Sequence, residues 1–437
     1  MFIKAPFRVS LDGFSLSLEK NTGIATYART LNRAISRLGC PVDALFGLNI
    51  SSNCNPVLRE IQFFDNLVPS GTIKSPRVFS KRWFQERRAD FHHPKVIEIP
   101  LSGRVDSRSF LERLPAFDRI LNVDNIFCRA ARHFRQTGKF VTLRMDNPPD
   151  IMHWTYPFPI EVAGAENIYT IHDVIPLRLP HTTLDNKGYY FNLLKSVGVN
   201  ASAICTVSEA SRKDILSFFP EMASRLHNTY QACDTDRPVF QRADSECLAE
   251  IKADFGLSRH SYFIFFGSLE PKKNIGRMIE AFLASNSCRK LVIVGAMAWK
   301  ADNELRYLKY GESTGRIMMV DYLPERTLFA LIRNARALFF PSLCEGFGLP
   351  VIEAMNCGTP VLTSKEGALP EVGGDATLQT EAYDVDAITR SIHQLDQDDI
   401  LCENLVSRGY QQVKKFDMTS YQKRLMKMYD SVLSGVA

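Results

Sequence analysis

Short runs of β-branched and aromatic residues alternate along this chain with helical patterns of apolar residues. An early example is the strand-like run 7–11, which a polar loop joins to a helical pattern of apolar positions between Ile24 and Leu38. Spacings of three and four residues predict an amphipathic helix there, and Gly39 would end it. Strands that alternate with helices in this way indicate βαβ units and parallel sheets.

This alternation falls into two blocks that a looser stretch separates. In the first block we predict strands at 167–171 and 203–207, with Ser208 placed to cap the helix that follows. The second block is predicted to contain strands at 262–267, 291–294, 317–320, 337–340 and 360–363. The fold class is therefore α/β, with two Rossmann-like domains. A ligand should bind in the cleft at the carboxyl ends of the strands.

The predicted domain boundaries follow from the same pattern. The N-terminal domain should span 1–235, with an irregular basic insertion at about 50–150, and the C-terminal domain should span 258–417. The remainder, 418–437, is predicted to be a helix with one apolar stripe, formed by Tyr421, Leu425, Met428, Tyr429 and Val432. Such a stripe is expected to pack into a core.

Composition narrows the class of protein. With 437 residues, 45% hydrophobic and 23% charged, the chain has the make-up of a globular protein rather than a disordered or fibrous one. It contains no apolar run of ~18 residues, and its first residues lack the layout of a signal peptide, so we expect a cytoplasmic protein. The ten cysteines include no Cys-x-x-Cys pair, and we expect mostly buried thiols and no metal site.

Positive charge is unevenly distributed. The tract 74–119 contains 11 lysines and arginines against 6 acidic residues, and the tract 129–144 contains five cations and no carboxylate. Arg129, Arg132 and Arg135 would share one face of a helix. This face is either simply solvated or makes peripheral contact with an anionic membrane or a phosphate-bearing lipid. Nucleic acid is not expected, because no recognised binding module accompanies the charge.

Residues 339–355 carry the clearest chemical signal. A buried strand leads into a turn that contains two glycines, and Pro350 is well suited to open the helix after it. The backbone N–H groups of the turn should be free at the helix N-terminus, where the helix dipole favours an anion. The residues concerned are Gly346, Phe347, Gly348 and Leu349. The pattern predicts a site for a phosphate or a diphosphate.

Two carboxylates flank this turn. Glu345 precedes it, and Glu353 follows eight positions later, inside the first turn of the predicted helix. Because a carboxylate repels a phosphate, these side chains should accept hydrogen bonds from hydroxyl groups. A nucleotide sugar fits this site, because it carries both hydroxyl groups and a diphosphate. The alternative is that Glu353 only complements the helix dipole and that Glu345 lies on the surface.

Cations that could balance a diphosphate lie in the turn 267–274, after the first strand of the C-terminal domain. Lys272 and Lys273 would project from the same edge of the cleft as Glu345, and Asn274 is a good N-cap for the next helix. The alternative is that the two lysines are only solvated.

The Glu-x7-Glu segment, with its Glu-Gly-Phe-Gly-Leu-Pro core, resembles that of the retaining glycosyltransferases of family 4, which have the GT-B fold. The turn 267–274 is similar to their phosphate-binding turn. Weaker similarity appears at 22–24 with Tyr27, at 171–176 and at 207–209. Many members have an arginine where this chain has Ser268. The resemblance implies that the last helix crosses back onto the N-terminal domain.

The resemblance also implies roles for individual residues. Glu345 and His172 would contact the donor sugar, Glu353 the ribose, and Lys272 and Lys273 the leaving diphosphate. The turn amides and Gly23 would complete the donor site. From the sequence alone, His172 could equally be a structural histidine.

In this family the transfer is retaining, and it usually proceeds without a metal ion. A phosphate oxygen of the donor is thought to take the proton of the acceptor hydroxyl, while the protein positions the reactants and stabilises charge. Asp-x-Asp triplets, the metal motif of the other large glycosyltransferase fold, begin here at Asp234, Asp384 and Asp396. Their positions in a linker and a charged tail indicate chance, so no cofactor is expected besides the nucleotide sugar as co-substrate.

The sequence thus predicts a retaining hexosyltransferase that uses a nucleotide-diphosphate sugar and a lipid-linked or polysaccharide acceptor, in bacterial-type surface glycan synthesis. Mannose is one candidate sugar, and glucose or galactose are others. The alternative is a non-catalytic GT-B protein that binds nucleotide or glycan as an assembly partner. A nicotinamide-dependent oxidoreductase is disfavoured, because Gly346 and Gly348 are not followed by the third glycine of the dinucleotide motif.

Overall fold

The computed structural model describes residues 7–18, 23–51, 53–68, 94–110, 113–296 and 307–435. These residues form two α/β domains. The N-terminal domain contains the strands β1 (Val9–Asp12), β2 (Val42–Phe46), β3 (Ile97–Ile99), β4 (Arg119–Asn122), β5 (Val141–Leu143), β6 (Ile151–Trp154), β7 (Ile160–Val162), β8 (Glu166–Thr170), β9 (Ala203–Thr206) and β10 (Leu226–Asn228).

Eight of these strands form one sheet, in the order β10-β9-β8-β6-β1-β2-β4-β3. Neighbouring strands are parallel except β3, which pairs antiparallel with β4 at the edge. Strands β5 and β7 form a separate parallel pair. The helices around the sheet are α1 (Phe14–Ser17), α2 (Gly23–Arg37), α3 (Pro56–Leu67), α4 (Ile126–Thr137), α5 (Ile175–Arg178), α6 (Lys187–Asn200) and α7 (Glu209–Phe218).

The region that the sequence assigned to an irregular insertion is largely regular where it is described. Between residues 50 and 150 lie α3, α4 and strands β3 to β5. Helix α3 and the edge strands share a small apolar cluster with α1, α2 and β2, which includes Phe63, Ile97 and Ile120. The expectation of irregular structure is therefore wrong for this part, because its apolar side chains pack into the hydrophobic clusters of the N-terminal domain. Residues 69–93 lie outside the described residues.

The C-terminal domain is built on six parallel strands: β11 (Tyr262–Phe266), β12 (Lys290–Val294), β13 (Ile317–Val320), β14 (Leu338–Phe340), β15 (Val361–Ser364) and β16 (Leu378–Thr380). Their order is β13-β12-β11-β14-β15-β16, that of a doubly wound sheet. The strand order reverses between β11 and β14, so a crevice opens at the carboxyl ends of these two strands. Strand β11 is wholly buried, as expected of a parallel strand covered on both faces.

The helices of this domain are α8 (Asp244–Phe255), α9 (Ile275–Ala284), α10 (Leu308–Ser313), α11 (Glu325–Asn334), α12 (Leu349–Asn356), α13 (Leu369–Gly373), α14 (Val385–Gln397) and α15 (Asp399–Val413). The strands predicted at 262–267, 291–294, 317–320, 337–340 and 360–363 all appear, displaced by at most one residue at either end. The exact domain boundaries stay predictions.

The final helix, α16 (Met418–Leu433), packs against the N-terminal domain. The Gln422 amide donates a hydrogen bond of 2.9 Å to the Ala34 carbonyl of α2, and the Arg424 guanidinium donates one of 2.8 Å to the Thr229 carbonyl. All five residues of the predicted stripe are buried. Among the helices of the described residues, none combines the length and hydropathy needed to cross a bilayer.

A buried polar chain joins α16 to the sheet. The Tyr429 hydroxyl lies 2.7 Å from Nδ1 of His153, and Nε2 of His153 lies 2.9 Å from the Thr170 hydroxyl. Burial lowers the pKa of His153 to about 3, so the imidazole is neutral and each nitrogen needs a partner.

Replacing Tyr429 by phenylalanine should therefore leave a buried ring nitrogen without its partner. We expect Tyr429→Phe to lose about 1–3 kcal/mol of stability, the usual cost of such a group. A lower midpoint of urea unfolding would show this. Tyr322→Phe, at a tyrosine that is 69% exposed, serves as the control. Equal midpoints for the two variants would contradict the prediction.

Candidate active site

A buried ion pair lies at the crevice between β11 and β14. Nζ of Lys273, in the turn after β11, is 2.7 Å from Oε1 of Glu345, which follows β14, and both side chains are little exposed. Burial opposes ionisation of Glu345, but the charges of Lys273 and Lys272 outweigh it and lower the pKa of this carboxyl. The two residues thus come together as the sequence predicts, and Glu345 is an ionised acceptor.

Lys272 and Lys273 are held by the turn that carries Glu345. The Lys272 carbonyl accepts a hydrogen bond of 2.8 Å from the Leu343 N–H, and Nζ of Lys273 lies 4.6 Å from the centre of the Phe340 ring. Burial alone would lower the pKa of Lys272, but the carboxylates of Glu345 and Asp173 raise it. Lys272 is therefore a cation at the crevice, and Lys273 lies beside it in the ion pair with Glu345. The interpretation of the two lysines as merely solvated is wrong.

The turn 346–349 has the backbone that the glycines predict. Gly348 has φ of +100°, in the left-handed region, and precedes the first residue of α12, Leu349. No described residue accepts a hydrogen bond from the N–H groups of 346–349, which remain available to a ligand. The Phe347 ring is buried against Phe416, with centroids 5.4 Å apart, so only the backbone of Phe347 can contact a donor.

Glu353 is the fifth residue of α12 and lies in its second turn, not in the first turn as predicted. Its Oε1 is 3.5 Å from Nη1 of Arg237, which also pairs with Glu325. Burial raises the pKa of Glu353 to about 6, and Arg237 partly offsets this. Arg237 was not predicted, because a single arginine in a linker carries no signal in the sequence.

His172 lies at the carboxyl end of β8, on the opposite side of the cleft. Its Nε2–H donates a hydrogen bond of 2.9 Å to the Thr155 carbonyl, which leaves Nδ1 as an acceptor. Burial lowers the pKa of His172, although the Thr155 carbonyl and Asp173 oppose this. The Tyr27 ring meets the imidazole edge to face, with centroids 4.8 Å apart. His172 is therefore a neutral, oriented imidazole.

Asp12 is a further buried acid, and Thr155 connects it to this histidine. Asp12, at the end of β1, accepts a hydrogen bond of 2.5 Å from the Thr155 N–H. Burial raises the pKa of Asp12 to about 6. Thr155 thus links the two residues, because its N–H donates to Asp12 and its carbonyl accepts from His172. The sequence gave no reason to single out Asp12 or Thr155.

The remaining predicted residues are placed less directly. Gly23 opens α2 and is exposed, and a Cβ there would meet no atom within 4 Å. Ser268 is exposed beside Gly267, at the start of the lysine turn. Asn274 precedes α9 as predicted, but its side chain does not cap the helix. Its amide instead donates to the carbonyls of Pro341 and Ala382, at 3.0 and 2.6 Å.

The three Asp-x-Asp triplets have structural partners. Asp234 pairs with Arg33 at 2.9 Å, while Asp384 and Asp398 accept hydrogen bonds from the first turns of α14 and α15. Across the described ranges, no group of three or more His, Cys, Asp or Glu side chains has an arrangement suited to a metal ion. Independence from metal stays a prediction.

Two Rossmann-like domains that face each other across a cleft define the GT-B architecture of glycosyltransferases. The fold is similar to that of sucrose-phosphate synthase from Thermosynechococcus elongatus, with a TM-score of 0.64, 15% identity, and coverage of 98% of this chain and 100% of the other. It is equally similar to Anabaena HepE in complex with UDP and glucose, with a TM-score of 0.64, 13% identity, and coverage of 97% and 100%.

Sequence comparison identifies the family. Residues 249–412 match the model described as glycosyl transferases group 1. O-antigen chain mannosyltransferase B of Escherichia coli is 33% identical over 267 residues, covering 60% of this chain and 69% of that protein. The serotype-specific mannosyltransferase WbdA of Escherichia coli is 26% identical over 272 residues, covering 60% and 33%. The chain belongs to the group 1 glycosyltransferases and is a glycosyltransferase.

The raised pKa of Glu353 generates a pH prediction. Above pH 6 this carboxyl is an anion, and below pH 6 it is protonated. In the role that the family resemblance implies, the anion is the stronger acceptor for a ribose hydroxyl. Binding of a nucleoside diphosphate, measured by calorimetry, should therefore weaken between pH 7.5 and pH 5.5. The loss should be smaller in Glu353→Gln, which cannot titrate.

The comparison with Glu353→Gln is needed because other groups titrate in the same range. Asp12 has a pKa of about 6, and the terminal phosphate of the nucleoside diphosphate also has a pKa of about 6. Both contribute equally to the wild type and the variant. Identical pH dependence in the two proteins would contradict the assignment of Glu353 to the ribose.

Proposed function

We propose that this glycosyltransferase is a retaining enzyme that transfers mannose from a nucleotide-diphosphate sugar to a growing surface glycan or its lipid-linked precursor. The observation that carries the proposal is the Glu345–Lys273 pair of 2.7 Å beside the unpartnered amides of 346–349. An ionised acceptor, cations and free N–H groups meet there, and these are the groups that sugar hydroxyls and a diphosphate require.

In the proposed reaction, the acceptor hydroxyl oxygen bonds to the anomeric carbon from the face that the diphosphate leaves. The bond from that carbon to the phosphate oxygen breaks, and a donor phosphate oxygen takes the hydroxyl proton. Lys272 and Lys273 stabilise the charge that grows on the diphosphate, and Glu345 holds sugar hydroxyls. His172, which is neutral, faces the sugar from the other domain and is proposed to position it. No metal ion is included in this proposal.

Mannose is proposed because both relatives described above carry mannosyltransferase in their names, and one is named for the O-antigen chain. This chain covers 69% of the first relative and 33% of the second, so donor, acceptor and linkage belong to the proposal. A guanosine diphosphate donor is the specific form that we propose.

A donor panel tests the proposal. Purified protein is incubated with GDP-mannose, UDP-glucose and UDP-galactose and with glycan acceptors, and released nucleoside diphosphate is measured. Turnover should be fastest with GDP-mannose. Lys273→Ala should reduce turnover by at least about 100-fold, because electrostatic groups aimed at the leaving charge contribute about 2.7–4 kcal/mol. Glu345→Gln should also reduce turnover, because it removes the ionised acceptor proposed for the sugar hydroxyls and leaves Lys273 without its ion-pair partner.

Matched surface variants provide the control. Lys365 and Glu381 form an ion pair of 2.7 Å in the same domain, but both are more than half exposed. Lys365→Ala and Glu381→Gln should retain turnover. A wild-type protein that turns over no donor, yet still binds nucleotide or glycan, would instead indicate the non-catalytic binding partner. Faster turnover with a uridine donor would contradict the mannosyl assignment.

Peripheral membrane contact is a further part of the proposal, and α4 supports it best. Arg135 is exposed at the end of this helix, and Lys139 is exposed just beyond it. In the tract 74–119, Arg113 and Arg119 instead bond within the protein, to the Leu67 carbonyl and to Asp43. Lys95, Arg104 and Arg108 of this tract are exposed. Residues 74–93 of that tract lie outside the described residues.

The protein should therefore co-sediment with vesicles that contain anionic lipid at low salt, and it should dissociate from them as the salt concentration rises. Arg135→Gln combined with Lys139→Gln should weaken this association. Lys309→Gln combined with Lys427→Gln removes the same charge from exposed positions elsewhere and should not. Absence of binding at low salt would contradict membrane contact.

A further inference from the structure

The two domains touch at the carbonyl oxygen of Gly346. The Ser208 hydroxyl, at the start of α7, donates to this oxygen at 2.7 Å, and the Ser211 hydroxyl donates to it at 3.0 Å. Both serines are buried and belong to the N-terminal domain, whereas Gly346 belongs to the donor turn of the C-terminal domain. Two hydroxyls from one domain thus converge on one peptide group of the other.

This peptide group has a direct connection to the donor site. A peptide bond is planar and trans, so the N–H of Phe347 points opposite to the Gly346 carbonyl. When that carbonyl is held toward α7, the Phe347 N–H is held away from α7. It is one of the N–H groups of 346–349 that have no acceptor among the described residues. The serines therefore determine the direction of an amide that a donor oxygen can use.

A second interdomain contact, with the loop of His172, explains why position 346 is glycine. A Cβ there would lie 2.8 Å from the His172 carbonyl oxygen and 3.1 Å from the side chain of Asp173. Real Cβ atoms do not approach backbone this closely, so any larger residue would hold the domains apart. The close approach of the donor turn to the loop of His172 thus depends on Gly346.

A third contact joins the start of α7 to the C-terminal domain. The Glu371 carboxylate, from α13, accepts hydrogen bonds from the N–H groups of Glu209 and Ala210 at 2.9 and 3.0 Å. These donors are the first N–H groups of α7, where an acceptor and a negative charge are both favourable. Glu371 therefore docks α7 on the C-terminal domain but does not touch the Gly346 carbonyl.

We propose that Ser208 and Ser211 are positioning residues that couple closure of the two domains to the orientation of the Phe347 N–H toward a donor oxygen. When the domains separate, the Gly346 carbonyl loses both donors and the peptide is free to rotate. When they close, the amide is fixed for the sugar or diphosphate of the donor. The proposal rests on the donor site assigned above and deepens it.

Ser211 provides the sharper test of the two serines. The Ser208 hydroxyl also accepts the Ser211 N–H at 2.9 Å and so caps α7, which Ser208→Ala would weaken. Ser211→Ala removes only the hydrogen bond to Gly346. Ser217→Ala, at an exposed serine of the same helix that bonds only to the Asp214 carbonyl, is the matched control. Glu371→Gln weakens the docking of α7 on the C-terminal domain and leaves both serines in place.

Donor kinetics and melting temperature are measured for the four proteins, wild type, Ser211→Ala, Ser217→Ala and Glu371→Gln. We expect Ser211→Ala to lower kcat/KM for the donor by about 3- to 10-fold, the range for one hydrogen bond. The melting temperature should fall only slightly, because Ser208 still donates to the Gly346 carbonyl. The loss should fall mainly on kcat, because the amide is directed only in the closed state. Ser217→Ala should match the wild type, and Glu371→Gln should raise KM more than it lowers kcat.

A second measurement does not depend on the donor. Small-angle scattering should give a larger radius of gyration for the Ser208→Ala, Ser211→Ala double variant and for Gly346→Ala than for the wild type. If the wild type turns over no donor but this expansion occurs, the proposed function fails while the closing contact stands. Wild-type kcat in Ser211→Ala, or a kcat loss that Glu371→Gln reproduces in full, overturns the positioning role.

Discussion

The buried ion pair between Lys273 and Glu345 is the interaction on which the proposed donor site depends. Removing Glu345 would leave the little-exposed Lys273 ammonium without its partner, and removing Lys273 would leave Glu345 with only the more distant support of Lys272. Breaking such a pair costs more than the pair itself contributes. The pair joins the ends of β11 and β14, the two strands between which the sheet reverses direction. Because Lys273 keeps Glu345 ionised, a strong acceptor remains at neutral pH beside amides that attract an anion. Hydroxyl recognition and diphosphate recognition can therefore occur within one turn of chain.

Glycines make this arrangement geometrically possible. A Cβ on Gly295, at the end of β12, would lie 1.9 Å from the Gly267 carbonyl oxygen. The turn after β11 therefore packs backbone against backbone on its neighbour, which brings the lysines close to the sheet. Gly346 performs the equivalent function between domains. In both places the absence of a side chain allows polar backbone groups to approach each other closely. Such groups can bind a ligand that carries both a diphosphate and hydroxyls.

The sequence predicted the long buried strands and the Glu345 turn because both carry local signals. Strand β11 has five consecutive apolar residues, and the turn combines two glycines with a proline at fixed spacing. It did not predict β5 and β7, which have three residues each and show no periodicity. Arg237 and Asp12 were missed for another reason. Their importance comes from partners distant in the chain, and no pattern within a window of sequence records such contacts.

The contacts between the domains are of two physical kinds, and this difference bears on how the cleft operates. Behind the cleft, α16 buries Tyr421 and Tyr429 in the N-terminal domain, so separation there would expose large aromatic rings. At the mouth of the cleft, the small Gly346 packs against the loop of His172, and the other contacts are hydrogen bonds from Ser208, Ser211 and the start of α7, each of which water can replace. Opening is therefore far less costly at the mouth than behind it. Under the coupling proposed above, a donor oxygen that accepts a hydrogen bond from the Phe347 N–H would favour closure at the mouth, where transfer is proposed to occur.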